Sequence, residues 1–120
     1  MVADALDALQ DKFSGCDTIA FADLSTQMIL VTNTGTAHPR EKLDNLCAEA
    51  ALTLGTSRKL AIGTAPGETA IVSGPEQLRI FLRAKKEPSD VLCCIFHPSL
   101  DVAAFLPEAR ACLEQISSGA

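Results

Sequence analysis

Val91-Leu92-Cys93-Cys94-Ile95-Phe96 is an unbroken apolar run, opened by Asp90 and closed by His97-Pro98. A strand with one face in water alternates apolar and polar residues. This run does not alternate, so it predicts a strand buried on both faces, with helices packed above and below. Its short length and the flanking Pro88 and Pro98 favour a strand over a buried helical segment. Such a strand needs a neighbour on each side, and the rest of the chain supplies them.

Upstream, Gln77–Arg83 reads as a strand with Leu78, Ile80 and Leu82 on one face and Arg79, Phe81 and Arg83 on the other. Ala84 to Ser89 is a charged turn into the central run. Glu68–Ser73 is a strand around Ile71 and Val72, stopped by Gly74-Pro75 and preceded by the turn Thr64-Ala65-Pro66-Gly67. Leu60-Ala61-Ile62 is a short apolar piece with no assigned state. Leu43, Leu46, Cys47, Ala50 and Leu54 form one stripe of a helix over Pro39–Leu54, with Pro39 in its first turn and Gly55 as its stop. Arg58 and Lys59 follow near the negative end of its dipole. At the N-terminus, Val2, Leu6, Leu9 and Phe13 recur at helical spacing, and Ser14-Gly15 ends that helix. Cys16–Leu24 reads as a strand with Ile19 and Phe21 on one face and Cys16, Ala20, Ala22 and Leu24 on the other. The segment 23–27 turns it into Met28–Val31, a hairpin partner, and Asn33 to Ala37 is a polar loop. Downstream, Asp101 caps a last helix with Val102, Phe105, Ala109, Cys112, Leu113 and Ile116 on its apolar face. An interior proline costs ~3 kcal/mol, so Pro107 predicts a short first turn and a regular helix starting near that residue. Residues 117–120 are expected to fray. Chain order leaves Met28–Val31 and Glu68–Ser73 as the sheet edges.

At 120 residues the chain is expected to form one domain, 1–120, with a sizeable core. It is 48% hydrophobic but only 4% aromatic, without Trp or Tyr, so that core is aliphatic. Five scattered phenylalanines are a poor stacking platform, and a net charge of -5 opposes nucleic acid and anionic membranes. The N-terminus lacks the charged and apolar regions of a signal peptide, and no apolar run approaches the ~20 residues that span a bilayer. Cys16, Cys47, Cys93, Cys94 and Cys112 have neither disulfide-framework nor C-x-x-C spacing. Five free thiols in a reducing cytoplasm is the expectation.

No catalytic constellation is legible. Cys93 and Cys94 are adjacent on a strand and point to opposite faces, so they cannot share a metal; they read as core residues. Cys93 and His97 lie about 13 Å apart at ~3.3 Å per residue. His97 reads as the end of the strand. His38 stands before a helix start, and a Cys16–His38 pair would need an activation that spacing does not reveal. Asp17 and Asp23, six apart on one strand, are too distant for an acid–base pair. No nucleophile elbow, zinc-helix or phosphate-loop motif occurs. The expectation is no enzyme activity, no metal and no cofactor. Two surfaces attract attention instead. Arg79, Arg83, Lys85 and Lys86, with Phe81 among them, are either a solvated edge that discourages aggregation or a docking patch for an acidic partner. Opposite the core stripe of the middle helix lie Glu41, Asn45, Ala48 and Leu52, where Ala48 permits close helix approach and Leu52 is apolar where water is expected.

The hairpin Ile19-Ala20-Phe21-Ala22-Asp23-Leu24-Ser25, the middle helix Ala48-Glu49-Ala50-Ala51-Leu52-Thr53-Leu54 and the apolar last strand resemble the Roadblock/dynein light chain family. The resemblance spans Leu6 to Ile116 and rests on element order and apolar pattern. It departs at the hairpin turn, where the family commonly has a Gly-rich sequence and this chain has Ser25-Thr26-Gln27. The resemblance implies an α+β fold of order α-β-β-α-β-β-β-α, a single five-stranded antiparallel sheet flanked by three helices, as in profilin-like and Roadblock domains. It implies the middle helix on one face and the terminal helices on the other. It also implies a homodimer joined edge to edge, through Glu41, Asn45, Ala48, Leu52, Thr69, Ile71 and Ser73, that works as a non-catalytic adaptor or as a regulator of a small GTPase or other signalling or motor protein. PAS and GAF domains share parts of the layout, so a small-molecule sensor is the alternative, marked by a ligand pocket between sheet and helix.

Overall fold

The computed structural model describes residues 2–13, 15–33, 40–54, 69–87 and 89–117, with the side chains of Arg40 and Thr53 left aside. Its elements are α1 (Val2–Asp11), β1 (Cys16–Asp23), β2 (Met28–Thr32), α2 (Arg40–Leu54), β3 (Thr69–Ser73), β4 (Leu78–Arg83), β5 (Asp90–Phe96) and α3 (Val102–Ser117). The strands form one antiparallel sheet in the order β2-β1-β5-β4-β3. The apolar run is therefore the middle strand, and each residue from Val91 to Phe96 is buried. The fold class read from the sequence is the one observed, with β2 and β3 at the edges.

Alternation along the strands divides the core into two layers. On one face Ile19, Phe21, Ile80, Leu82, Leu92 and Cys94 meet Leu6 and Leu9 of α1 and Phe105, Ala109 and Leu113 of α3. On the other face Ala20, Ala22, Phe81, Val91, Cys93 and Ile95 meet Leu46, Cys47, Ala50 and Leu54 of α2. Three of the phenylalanines are gathered rather than scattered. Phe105 packs edge-on against Phe13 and Phe96, with centroids 5.2 and 4.5 Å away, tying α1, β5 and α3 together.

Two expectations need correction. α3 is one helix through Pro107; Asp101 Oδ1 accepts the Ala104 N–H at 3.2 Å as its cap. Phe105 anchors it before the proline, and Ala109, Leu113 and Ile116 anchor it after. Ser117 is the last residue of α3, and its Oγ–H donates to Asp90 Oδ2 at 2.8 Å. Cys16 packs with the α1–α3 layer, not with Ala20 and Ala22, because the β1–β5 register shifts between Cys16 and Thr18. A second shift puts Ile29 opposite Ala22 and Val31 opposite Phe21, so these two β2 residues face different layers and Leu30 is 51% exposed. The helix start at Pro39, the stop at Gly55, Arg58 and Lys59, the piece Leu60-Ala61-Ile62, the turn 64–67 and Glu68 lie outside the described residues.

Candidate functional site

α2 is amphipathic, and it turns its apolar stripe to the sheet. That leaves Glu41, Asn45, Ala48 and Leu52 as an exposed outer row, at the i, i+4, i+7, i+11 spacing of one helix face. Leu52 is 84% exposed, the most exposed of the large hydrophobic side chains among the described residues. Beside α2 runs β3, the last strand of the sheet, with one side not paired among the described residues. The edge is a short Thr-Ala-Ile-Val-Ser segment without Lys or Pro, and such an edge is a template for another strand.

Thr69, Ile71 and Ser73 are also exposed, Ile71 at 46%. They do not share a face with the α2 row. Ile71 pairs with Ile80 of the α1–α3 layer, and Thr69 Oγ1 accepts a bond from Arg110 of α3 at 3.1 Å. The β3 side chains on the α2 side are Ala70 and Val72, neither of which is in the interface set expected from the sequence. Their registration with Phe81 and Arg79 identifies that face once α2 is known to cover it.

The basic stretch does not present one surface. β4 lies between β3 and β5, so it is not an edge. Phe81 is wholly buried and Arg83 is 3% exposed. Arg83 Nη2–H donates to the carbonyl of Leu54, the last residue of α2, at 3.2 Å, and burial lowers its pKa from the usual arginine value. Arg79 Nε stands 2.8 Å from Glu49 Oε1, an ion pair without the alignment of a hydrogen bond. Both arginines thus hold α2 to the sheet. Only Lys85 and Lys86 of the stretch are exposed, in the turn after β4.

An open cavity of about 240 Å³ lies between the N-terminal half of α2 and strands β4 and β5, with Leu43, Leu46 and Ile95 on its apolar side and Lys42, Glu49 and Arg79 on its charged side. A groove of about 190 Å³ separates α1 from α3, lined by Ala5, Ala8 and Ala111 and closed by a 3.1 Å Lys12–Glu108 ion pair.

The residues weighed for chemistry are dispersed. Cys93 and Cys94 are buried in opposite layers, and burial raises both thiol pKa values, Cys94 far above the usual range. Burial, helped by the Asp17 charge, pushes Cys16 up to about 12. His97 lies past the end of β5, where Nδ1 accepts the Ser99 N–H at 3.1 Å in a turn. Asp23 Oδ1 accepts from Ser25 N and Oγ, bonds that lower its pKa, while Asp17 sits at the bulge. His38 lies outside the described residues. Among the described residues no group of three or more His, Cys, Asp or Glu side chains could hold a metal ion, and no helix is long and apolar enough to cross a membrane.

No protein-family model matches the sequence, and no curated protein matches it. Solved structures do. The Roadblock/LC7 domain from Streptomyces avermitilis superimposes with a TM-score of 0.78 at 12% identity, over 97% of this chain and 94% of that one. MglB in a tetrameric arrangement gives 0.75 at 13% identity, over 98% and 85%. Myxococcus xanthus MglB gives 0.74 at 15% identity, over 99% and 96%. At these identities the likeness is one of fold, and the fold is that of Roadblock/LC7 domains.

Proposed function

We propose that this chain is a non-catalytic dimeric adaptor or regulatory module of the cytoplasm, meeting a second copy of itself along β3 and the outer row of α2. The observation that carries the reading is Leu52, 84% exposed on a helix face beside a strand edge that is unpaired among the described residues. A two-fold axis at β3 continues the sheet into the second copy and sets the two α2 helices side by side. Ala48 then permits close approach, and Leu52 leaves water. Full burial of a leucine contributes ~1.5–3 kcal/mol, and two-fold symmetry applies it twice. The partner class follows the Roadblock resemblance: a small GTPase or another signalling or motor protein. The fold shared with MglB, one of whose structures is tetrameric, supports a self-associating regulator.

Light scattering with circular dichroism tests the seam. The wild type should be a dimer at tens of micromolar. Leu52→Asp should lower the mass and leave the fold intact, whereas Leu46→Asp, at a position only 5% exposed, should unfold the chain. A monomeric wild type, or a Leu52→Asp protein of unchanged mass, removes the seam.

One observation favours the sensor reading: the 240 Å³ cavity between α2 and the sheet. It is smaller than the roughly 300–1,000 Å³ of sites that enclose a drug-sized ligand. One small molecule per chain, retained in native mass spectrometry, would turn the assignment toward a sensor.

A further inference from the structure

Arg110 of α3 lies on the face of the sheet away from α2. Its Nη1–H donates to the Arg83 carbonyl, and its Nη2–H donates to Thr69 Oγ1 at 3.1 Å. Thr69 opens β3 and Arg83 closes β4; Thr69 pairs with Leu82, so the two are neighbours across the ladder. Glu114, one helical turn on, stands 3.6 Å from the Arg110 guanidinium and accepts the Lys85 N–H. From the same Arg83 the side chain leaves the opposite face of the sheet, and it bonds the Leu54 carbonyl at the end of α2. A carbonyl in a last helical turn has no partner within the helix, so an outside donor fixes that turn. Leu52 sits in it. One line of contacts therefore runs from α3 through β4 to the end of α2, with a branch to the start of the edge strand.

We propose that Arg110 is a positioning residue for the dimer seam, acting on both of its parts from the opposite side of the sheet. It holds the first residue of β3 directly, and it holds the last turn of α2 through Arg83. The inference rests on the seam described above, and it adds a route by which a partner bound at α3 can alter the dimer without touching it. Contiguity alone does not establish coupling, so the test is a double-mutant cycle.

Arg110→Met keeps the aliphatic stem and removes the donors. It should raise the dimer dissociation constant about tenfold, in the range of coupling between separate sites, with an unchanged circular dichroism spectrum. Amide hydrogen exchange should speed up at residues 69–71 and, across the sheet, at 51–54. Arg83→Met should speed 51–54 by a similar factor, and the double variant should be no faster than the faster single. Arg110→Lys should recover part of the loss, and Thr69→Val should speed β3 alone. These last two variants carry the comparison if Arg110→Met fails to fold. Unchanged exchange at 51–54 in Arg110→Met, or additive effects of the two arginine variants, overturns the linkage even in a dimeric protein. A monomeric wild type whose exchange is linked as described overturns the seam instead, and with it Arg110's role in dimerisation.

Discussion

Asp23 and Asp90 stand opposite each other where β1 meets β5. Partial burial raises the Asp90 pKa, Glu87 and Asp23 add to the rise, and the Ser117 hydroxyl opposes it. A carboxyl whose folded pKa is raised binds its proton more tightly in the native state, so it stabilises the protein on acidification and costs stability as pH rises. Asp90→Asn should therefore stabilise the protein at pH 7, by less than ~1 kcal/mol, the scale of a single cross-strand pair. The gain should vanish below about pH 4, where both states of the wild type are protonated. Urea melts across pH give the comparison; a gain that persisted in acid would assign the effect to something other than this charge. The hairpin turn shows another residue-scale effect. In the turn without glycine, Gln27 takes a φ of 53°, in the left-handed region that glycine enters freely. Asp23 steadies that turn through Ser25. Gly15, at φ 81°, is needed for a second reason: a Cβ there would lie 3.1 Å from the Cβ of His97.

At the scale of the element, α3 shows packing overriding a local rule. The Pro107 nitrogen has no hydrogen to donate back to Ala103, yet Phe105 on one side and Ala109 on the other are both fully buried. Continuing the helix buries both; breaking it would expose one. Pro107→Ala restores the missing donor at an exposed position and should stabilise by ~1–3 kcal/mol, up to the usual interior-proline cost. Equilibrium unfolding with an unchanged denaturant slope is the expected result, and loss of stability would mean that the proline's restriction of the unfolded chain dominates. Asn33 is a similar case. Its place in a polar loop predicts an exposed side chain, but it is fully buried. Its Oδ1 accepts the Ile19 N–H at 2.9 Å and its Nδ2–H donates to Gln10 Oε1 at 3.1 Å. The pairing of β1 and β2 thus extends past the last strand residue, and α1 is tied to it.

For the whole molecule, the five cysteines occupy both layers and none is paired with another. Burial raises the pKa of all five, which keeps them as neutral thiols at neutral pH. Folded protein should react slowly with a disulfide reagent, and unfolding without reductant should release five thiols. Fewer than five, or fast native reaction at Cys93 or Cys94, would contradict this arrangement. The two layers also assign different tasks to the helices. α1 and α3 share the layer with the phenylalanine cluster, whereas α2 alone closes the other face and carries the exposed row. A change at the outer row therefore reaches the exposed surface before it reaches either core.

Sequence alone determined the middle strand, the amphipathic stripes of α1 and α2 and the outer row Glu41, Asn45, Ala48 and Leu52, because burial repeats with a period of two along a strand and 3.6 along a helix. Those periods are properties of a few neighbouring residues. The tertiary structure alone decided what depends on distant ones. Two register shifts turned Cys16 and Ile29 to faces their spacing did not announce. The basic stretch read as an edge or a patch; the fold spends Arg79 and Arg83 on α2, and Arg110 on Thr69 and the Arg83 carbonyl. Ala70 and Val72, rather than Ile71, face α2, because the covering of a sheet face is settled by helices far away in the chain. A charged side chain finds its partner only once the backbone has brought that partner within hydrogen-bond reach, and no local period encodes that meeting.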